Sequence, residues 1–245
     1  MKESIIDYTL HLADNALILG QRNSEWCGHG PVLEQDIAIT NISLDLIGQA
    51  RNFYQYAAEL KADGSTEDSL AYLRTEREFK NCLLAEQSNG DWAQTILRQF
   101  FFSNYQYLLY QQLQNNHSNP LAAIAEKSLK EVTYHLRWSS EWVIRLGDGT
   151  TESNQRINNA IDELWRYTGE LFAPASYEKE AGIDTATLKE PWLHKVKEVF
   201  DEAGLAVPGK TFMQEGGKEG RHTEQLGYIL TELQYLQRTY PGCEW

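Results

Sequence analysis

The sequence predicts an all-α protein: a bundle of four long core helices with extra helices at both ends. Three observations carry the prediction. Glu34 to Leu60 holds no proline and a single glycine, Gly48, and its apolar residues recur at steps of three and four. The same period returns along most of the chain, interrupted by short Gly, Pro, Asn and Asp clusters. No convincing strand, tandem repeat or low-complexity tract breaks the pattern. A chain of 245 residues can bury a full core, and one domain spanning 1–245 is expected.

Taken in order, Ser4 and Asp7 form an approximate capping box for a first amphipathic helix, whose inner face of Leu12, Ala13, Ala16 and Leu19 reaches about Arg22. The link Asn23 to Pro31 leads into the long helix. There Ile39, Ile42, Leu46, Ala50, Phe53, Ala57 and Leu60 make one apolar line, and Ile37, Leu44, Ile47, Tyr54 and Ala58 a second. So wide an apolar surface predicts cover from more than one side. A polar strip of Asn41, Asp45, Gln49 and Asn52 runs between the lines, the place where a bundle would keep its chemistry. Asp63-Gly64-Ser65 closes this helix, and a third is expected from Thr66 to about Glu86.

Asp91 caps a fourth helix, Trp92 to about Asn115, dense in Phe and Tyr in the manner of a core or an interface. Asn119-Pro120 opens a fifth, with Leu121, Ile124, Ser128, Val132, His135, Ser139 and Trp142 inward. Thr151 begins a sixth that reaches Pro174. After a loop to Thr185, Thr187 and Glu190 suggest a capping box for a short helix through Phe200. Val207 to His222 is glycine-rich and without helical period, and a last helix spans Thr223 to Tyr240.

Twenty-two basic against 35 acidic residues give a net charge of −13, the wrong sign for a nucleic-acid groove or an anionic membrane surface. Cys27, Cys82 and Cys243 are widely spaced and suggest neither a disulfide framework nor a zinc ribbon. With Glu3, Asp7 and Asp14 near its start and no long apolar run, the chain is expected in the cytoplasm, with neither a membrane nor a nucleic-acid partner.

The interior chemistry best suited to such a bundle is a carboxylate-bridged metal pair, held by Glu-x-x-His motifs whose i, i+3 spacing sets both donors on one helix face. In the long helix the ligand pair would fall on Leu46 and Gln49; in the fifth it would fall on Val132 and His135. Leucine and valine bind no metal. Glu131 could reach His135 at i, i+4, which is also ordinary helix-surface spacing, and a structural His135 is the favoured reading over a ligand. The literal Glu219-Gly220-Arg221-His222 contains a glycine and lies in the irregular segment, where it reads as a loop presenting Lys218 and Arg221 to an anion or partner. Glu86 is the remaining carboxylate of plausible depth. The six histidines, His117 among them, form no cluster in sequence, and Cys27-Gly28-His29-Gly30 reads as turn chemistry.

The segments SEWCGHGPVLEQDIAITNISLDLIGQARNFYQYAAEL, LLAEQSNGDWAQTILRQFF, KEVTYHLRW and EGGKEGRHTEQLGYILTELQYLQRTYPG closely resemble the C-subunit family of the bacterial ring-1,2-phenylacetyl-CoA epoxidases, nearly end to end. The resemblance implies a ferritin-like fold and a cytoplasmic complex in which a sister protein, the catalytic A-type subunit, carries the di-iron centre and the acyl-CoA. It further implies a metal-free paralogue that binds and stabilises this catalytic subunit, with further subunits conceivable and no cofactor or catalytic residue of its own. Where the sister's pattern reads Asp-Glu-x-Gly-His, this chain has Asp45 to Gln49; where it reads Glu-x-x-His, this chain has Val132 to His135. Lys218 and Arg221 are the candidate contacts to partner or CoA. Two rivals stand beside this scaffold reading. One is a di-iron oxygenase using Glu86, Glu131, His135, Glu219 and His222. The other is a stand-alone homodimer binding a small acyl-CoA.

Overall fold

The computed structural model describes residues 2–115 and 119–243; His117 lies outside them. No strand occurs among the described residues, and none of their helices is long and apolar enough to cross a membrane. The chain forms two compact units. Met1–Gln87, Ala175–Gly182 and Gly216–Trp245 make the first, and Ser88–Pro174 with Ile183–Glu215 the second.

The first unit is built on a hairpin of α1 (Lys2–Ser24) and α2 (Leu33–Lys61). Instead of showing one inner face, α1 is buried at every position from Tyr8 to Gly20. Ser4 lies within the helix rather than capping it, its hydroxyl donating to Glu180. Gly20 lets the hairpin close, because a Cβ there would come within 3.2 Å of the Leu46 side chain. The turn between the helices is made by Cys27 to Gly30: Gly28 takes φ of +79° and the Gly30 amide donates to Asp36 at 2.9 Å. Amides of Gly30 and Gly28 hold the Asp36 carboxyl below its usual range. The end of α2 is Ala62, in the left-handed region at φ 54°, ahead of the expected Asp63-Gly64-Ser65 turn.

The third helix expected from Thr66 to Glu86 is broken. α3 covers Glu67–Tyr72, a single 3-10 turn covers Glu76–Glu78, and α4 covers only Leu83–Glu86. The cause is competition for the backbone. Lys80 N–H donates to Asp14 at 2.7 Å, Lys80 C=O accepts from His11 at 2.7 Å, and Cys82 N–H donates to Asn15 at 2.7 Å. Polar side chains of α1 thus take the bonds that a continuous helix would have made internally.

Downstream, α5 (Trp92–Leu113), α6 (Asn119–Gly147), α7 (Thr151–Leu164) and α9 (Lys189–Glu202) belong to the second unit, while α8 (Ser176–Glu180) supplies the first with a short helix where a loop was expected, capped by Glu178 through the Ala175 amide. The C-terminal helix is two pieces, α10 (Glu224–Leu233) and α11 (Tyr235–Thr239). They meet at Gln234, whose side-chain amide donates to the Ala71 and Arg74 carbonyls.

The second unit is built on a hairpin of α5 (Trp92–Leu113) and α6 (Asn119–Gly147), with α7 (Thr151–Leu164) and α9 (Lys189–Glu202) added. Asp91 caps α5 as expected, accepting from Gln94 N–H at 3.1 Å. The aromatic row of α5 is core: Phe101 stacks among Trp165, Trp192 and Phe200 with centroids 5.5 to 6.1 Å apart. Two 3-10 turns, Trp165–Tyr167 and Gly169–Phe172, replace the last part of the expected sixth helix. The Thr187–Glu190 box gives way to a 3-10 turn capped by Asp184, and α9 begins only at Lys189.

Candidate functional site

α2 and α6 carry the four positions that the two Glu-x-x-His motifs of a metal-binding bundle would occupy. In the first unit Leu46 is fully buried against α1, and Gln49 is buried one turn on. In the second, Val132 and His135 are fully buried on α6, where Ser139 Oγ donates to the His135 carbonyl at 2.7 Å. Two of the four are hydrocarbon, and the residues do not fit a di-iron site. Among the described residues no three His, Cys, Asp or Glu side chains converge as an ion would require.

The polar interior of the first unit is organised differently, as three buried carboxylates each matched to one cation. Asp14 accepts from Tyr54 Oη at 2.6 Å and from both terminal nitrogens of Arg74, whose guanidinium also lies 4.3 Å from the Phe79 ring centroid. Burial opposes the Arg74 charge, yet Asp14 and Tyr54 hold it above its ordinary value. Burial and the Asp14 charge push the Tyr54 phenol well up. Glu178 on α8 receives the Lys218 ammonium at 3.0 Å, and Tyr177 Oη donates to the Lys218 carbonyl at 3.2 Å.

Glu86 is the third. Its Oε2 accepts from Asn81 Nδ2 and His222 Nδ1, each at 2.8 Å, and its Oε1 from Thr223 N–H at 2.7 Å and Thr223 Oγ1 at 2.8 Å. Four donors on two oxygens leave this carboxylate with nothing to offer a metal. Burial works against charge on His222, but the bond to Glu86 and its negative charge raise the imidazole above its ordinary value. Arg22 ties the same corner together, donating to the Glu86 carbonyl at 3.1 Å and to Gln225 at 2.9 Å.

His11 lies between the other two pairs. Its Nδ1 donates to the Lys80 carbonyl, and Asn15 Nδ2 stands 3.2 Å from Nε2. Burial lowers its pKa to about 4, although Glu178, with an oxygen 3.8 Å away, pulls the other way.

The glycine-rich segment is therefore inserted as well as irregular. Gly217 and Gly220 lie where a Cβ would come within 2.3 Å of the Asn81 and Arg77 carbonyls, and Gly220 has φ of +77°. This close approach separates the Glu219-x-x-His222 motif: Glu219 pairs at the surface with Arg221 at 2.7 Å, while His222 turns inward to Glu86. Lys218, expected to face a partner or CoA, is only 3% exposed and is spent on Glu178; Arg221 is the exposed member of that pair. The structure brings Glu86 and His222 together, as the di-iron alternative requires, but as a saturated ion pair. Asp14, Arg74, Glu178 and His11 were not singled out from sequence. The available signal was an acid and an imidazole inside the apolar run Leu10 to Leu19.

What the network can do chemically is limited to holding three distant stretches of chain together with charge balanced inside. Comparison with known proteins agrees with the resemblance in the sequence. A family model described as "Phenylacetic acid catabolic protein" matches residues 1–245. The C subunit of the 1,2-phenylacetyl-CoA epoxidase of Escherichia coli (strain K12) is 49% identical over 243 residues, which cover 97% of this chain and 98% of that protein. The all-α chain, with its four longest helices arranged as two hairpins, has the ferritin-like fold. It belongs to the phenylacetic acid catabolic protein family.

Proposed function

We propose that this chain is a non-catalytic structural subunit of a multicomponent di-iron oxygenase that epoxidises the ring of phenylacetyl-CoA. It binds and stabilises the iron-bearing catalytic subunit in the cytoplasm and holds no cofactor of its own. The observation that supports this most is chemical: Leu46 and Val132 are buried hydrocarbons at would-be ligand positions, and Glu86 is saturated by four donors. The contribution to turnover is then preorganisation, a rigid partner that fixes helices of the active protein rather than moving protons or electrons. Arg221 is the remaining candidate for a contact with partner or CoA phosphate.

Expression of the chain with and without the catalytic subunit, followed by sizing and iron assay of each species, tests the reading. The isolated chain is expected to carry iron far below stoichiometry and to join the catalytic subunit in one species. Two irons per isolated chain would establish the rival oxygenase instead.

A further inference from the structure

A cleft of about 450 Å³ lies wholly within the second unit, framed by α5, α6 and α9. α6 and α9 run side by side and meet at their C-terminal ends, where a Cβ at Gly147 would come within 2.4 Å of the Ala203 carbonyl. Buried Leu136 and Val199, with half-buried Leu108 and Ile144, give the cleft an apolar floor. Its polar groups are unusual in being left open. Asn104 is only 1% exposed and its Nδ2 donates to the Trp192 carbonyl at 3.0 Å, yet its Oδ1 accepts from no donor among the described residues. A buried acceptor without a donor is costly, so this oxygen calls for an N–H or O–H from an occupant. At the rim, Arg137 pairs with no carboxylate among the described residues and lies 5.9 Å from the Tyr134 ring centroid. Glu141 and Glu202 likewise pair with no cation there, whereas Lys195 is held by Glu198 at 3.1 Å. Arg137 precedes Glu141 by one turn, the less favourable order for a helical ion pair, and the two side chains stay apart.

We propose that this cleft binds a free aromatic α-amino acid whose ring carries a hydrogen-bond donor, tryptophan or tyrosine. Each open group specifies one part of the ligand. The planar Arg137 guanidinium is matched to a carboxylate. Glu141, with Glu202 beyond it, is matched to an ammonium, and on one helix face residues four apart have Cβ atoms roughly 5–6 Å from each other, a span that an amino acid's two charged groups bridge. The apolar floor receives the ring, and the cleft volume falls in the range of small-molecule sites. The buried Asn104 Oδ1 accepts the ring N–H or O–H. Charge argues for the ammonium as well as the carboxylate, because a chain of net charge −13 attracts cations and repels simple anions. This site belongs to the chain by itself and is independent of the function proposed above.

The test titrates the full chain, by ligand-observed NMR, with L-tryptophan and three analogues that each lack one feature: tryptamine the carboxylate, indoleacetate the ammonium and L-phenylalanine the ring donor. Tryptophan is expected to bind with a Kd on the order of 1 mM or tighter, and each analogue at least tenfold more weakly. Arg137→Gln should weaken tryptophan at least tenfold and leave tryptamine within twofold of its wild-type value. Because Arg137 is exposed, that variant keeps the wild-type melting temperature. Asn104→Leu, if it folds, should bind tryptophan and phenylalanine equally. No binding of tryptophan at its solubility limit overturns the proposal. So does equal affinity for all four compounds, which would be apolar adsorption, or tryptophan binding unchanged in Arg137→Gln. Indoleacetate binding more tightly than tryptophan overturns it in favour of a simple anion site.

Discussion

His222 donates to Glu86 from Nδ1 at 2.8 Å and to the Phe79 carbonyl from Nε2 at 2.9 Å, so both ring nitrogens face acceptors. A neutral imidazole has one N–H and can satisfy only one of them. His222 is therefore a cation within the first unit, the counter-charge of Glu86. His11 faces one acceptor and one amide donor, the surroundings of a neutral ring.

The pH dependence of stability follows for His222 from the direction of its shift. Its folded value lies above 6.5, so its contribution is complete below the unfolded value and is lost as pH rises through the folded one. Urea midpoints are expected to decline from about pH 6.5 upward. In His222→Gln that decline should flatten, and an unchanged slope would assign it to another group.

For His11 the sign is opposite. A folded value of about 4 against 6.5 unfolded means its contribution is present above 6.5 and is lost as pH falls toward 4. A shift of this size corresponds to about 3 kcal/mol across that interval. Denaturation curves should show acid destabilisation already below pH 6.5, reduced in His11→Gln, which cannot take up the proton.

Breaking the Asp14–Arg74 pair from one side leaves a buried charge without its partner. Arg74→Met is expected to cost about 3–5 kcal/mol by chemical denaturation. The double variant Asp14→Asn with Arg74→Met should recover part of that loss, because the uncompensated anion is gone. Equal losses in the single and double variants would show that packing of the guanidinium on Phe79 matters more than its charge.

Lys218 and Arg221 separate by burial. Lys218→Met should lower stability by about 3 kcal/mol or more, because Glu178 is left unpaired at 0% exposure. Arg221→Ala should stay within about 0.5 kcal/mol. If Arg221 touches partner or CoA, its substitution weakens complex formation or turnover with stability unchanged; Lys218 cannot act that way from inside.

Helix positions and type were legible because the long helices carry their period openly, as Ile39 to Ala57 and Leu226 to Leu230 do. The lack of ligands at Leu46 and Val132 was legible too, since residue type alone decides whether a side chain can bind metal. What escaped was non-local. Thr66 to Glu86 looks helical by propensity, and only the acceptors and donors of Asp14, Asn15 and His11 show why its middle is extended. Lys218 looks available because a glycine-rich loop normally lies in water. Its burial depends on Gly217 and Gly220 fitting against Asn81 and Arg77, a tertiary relation with no short-range signature. The outward turn of Leu33, Ile37, Leu44 and Ile47 was hidden by the same limit: two apolar lines on a helix look alike whichever one the protein covers itself.

Glu86 and His222 are separated by 136 positions in the chain. A ribosome delivers the acid long before the base, and Glu178 likewise emerges ahead of Lys218, its cation. During synthesis the first unit must wait with Glu86 uncompensated, and a polypeptide truncated before His222 never completes the pair. Such a product would present proteases with an open core, which the final stretch closes in the finished chain.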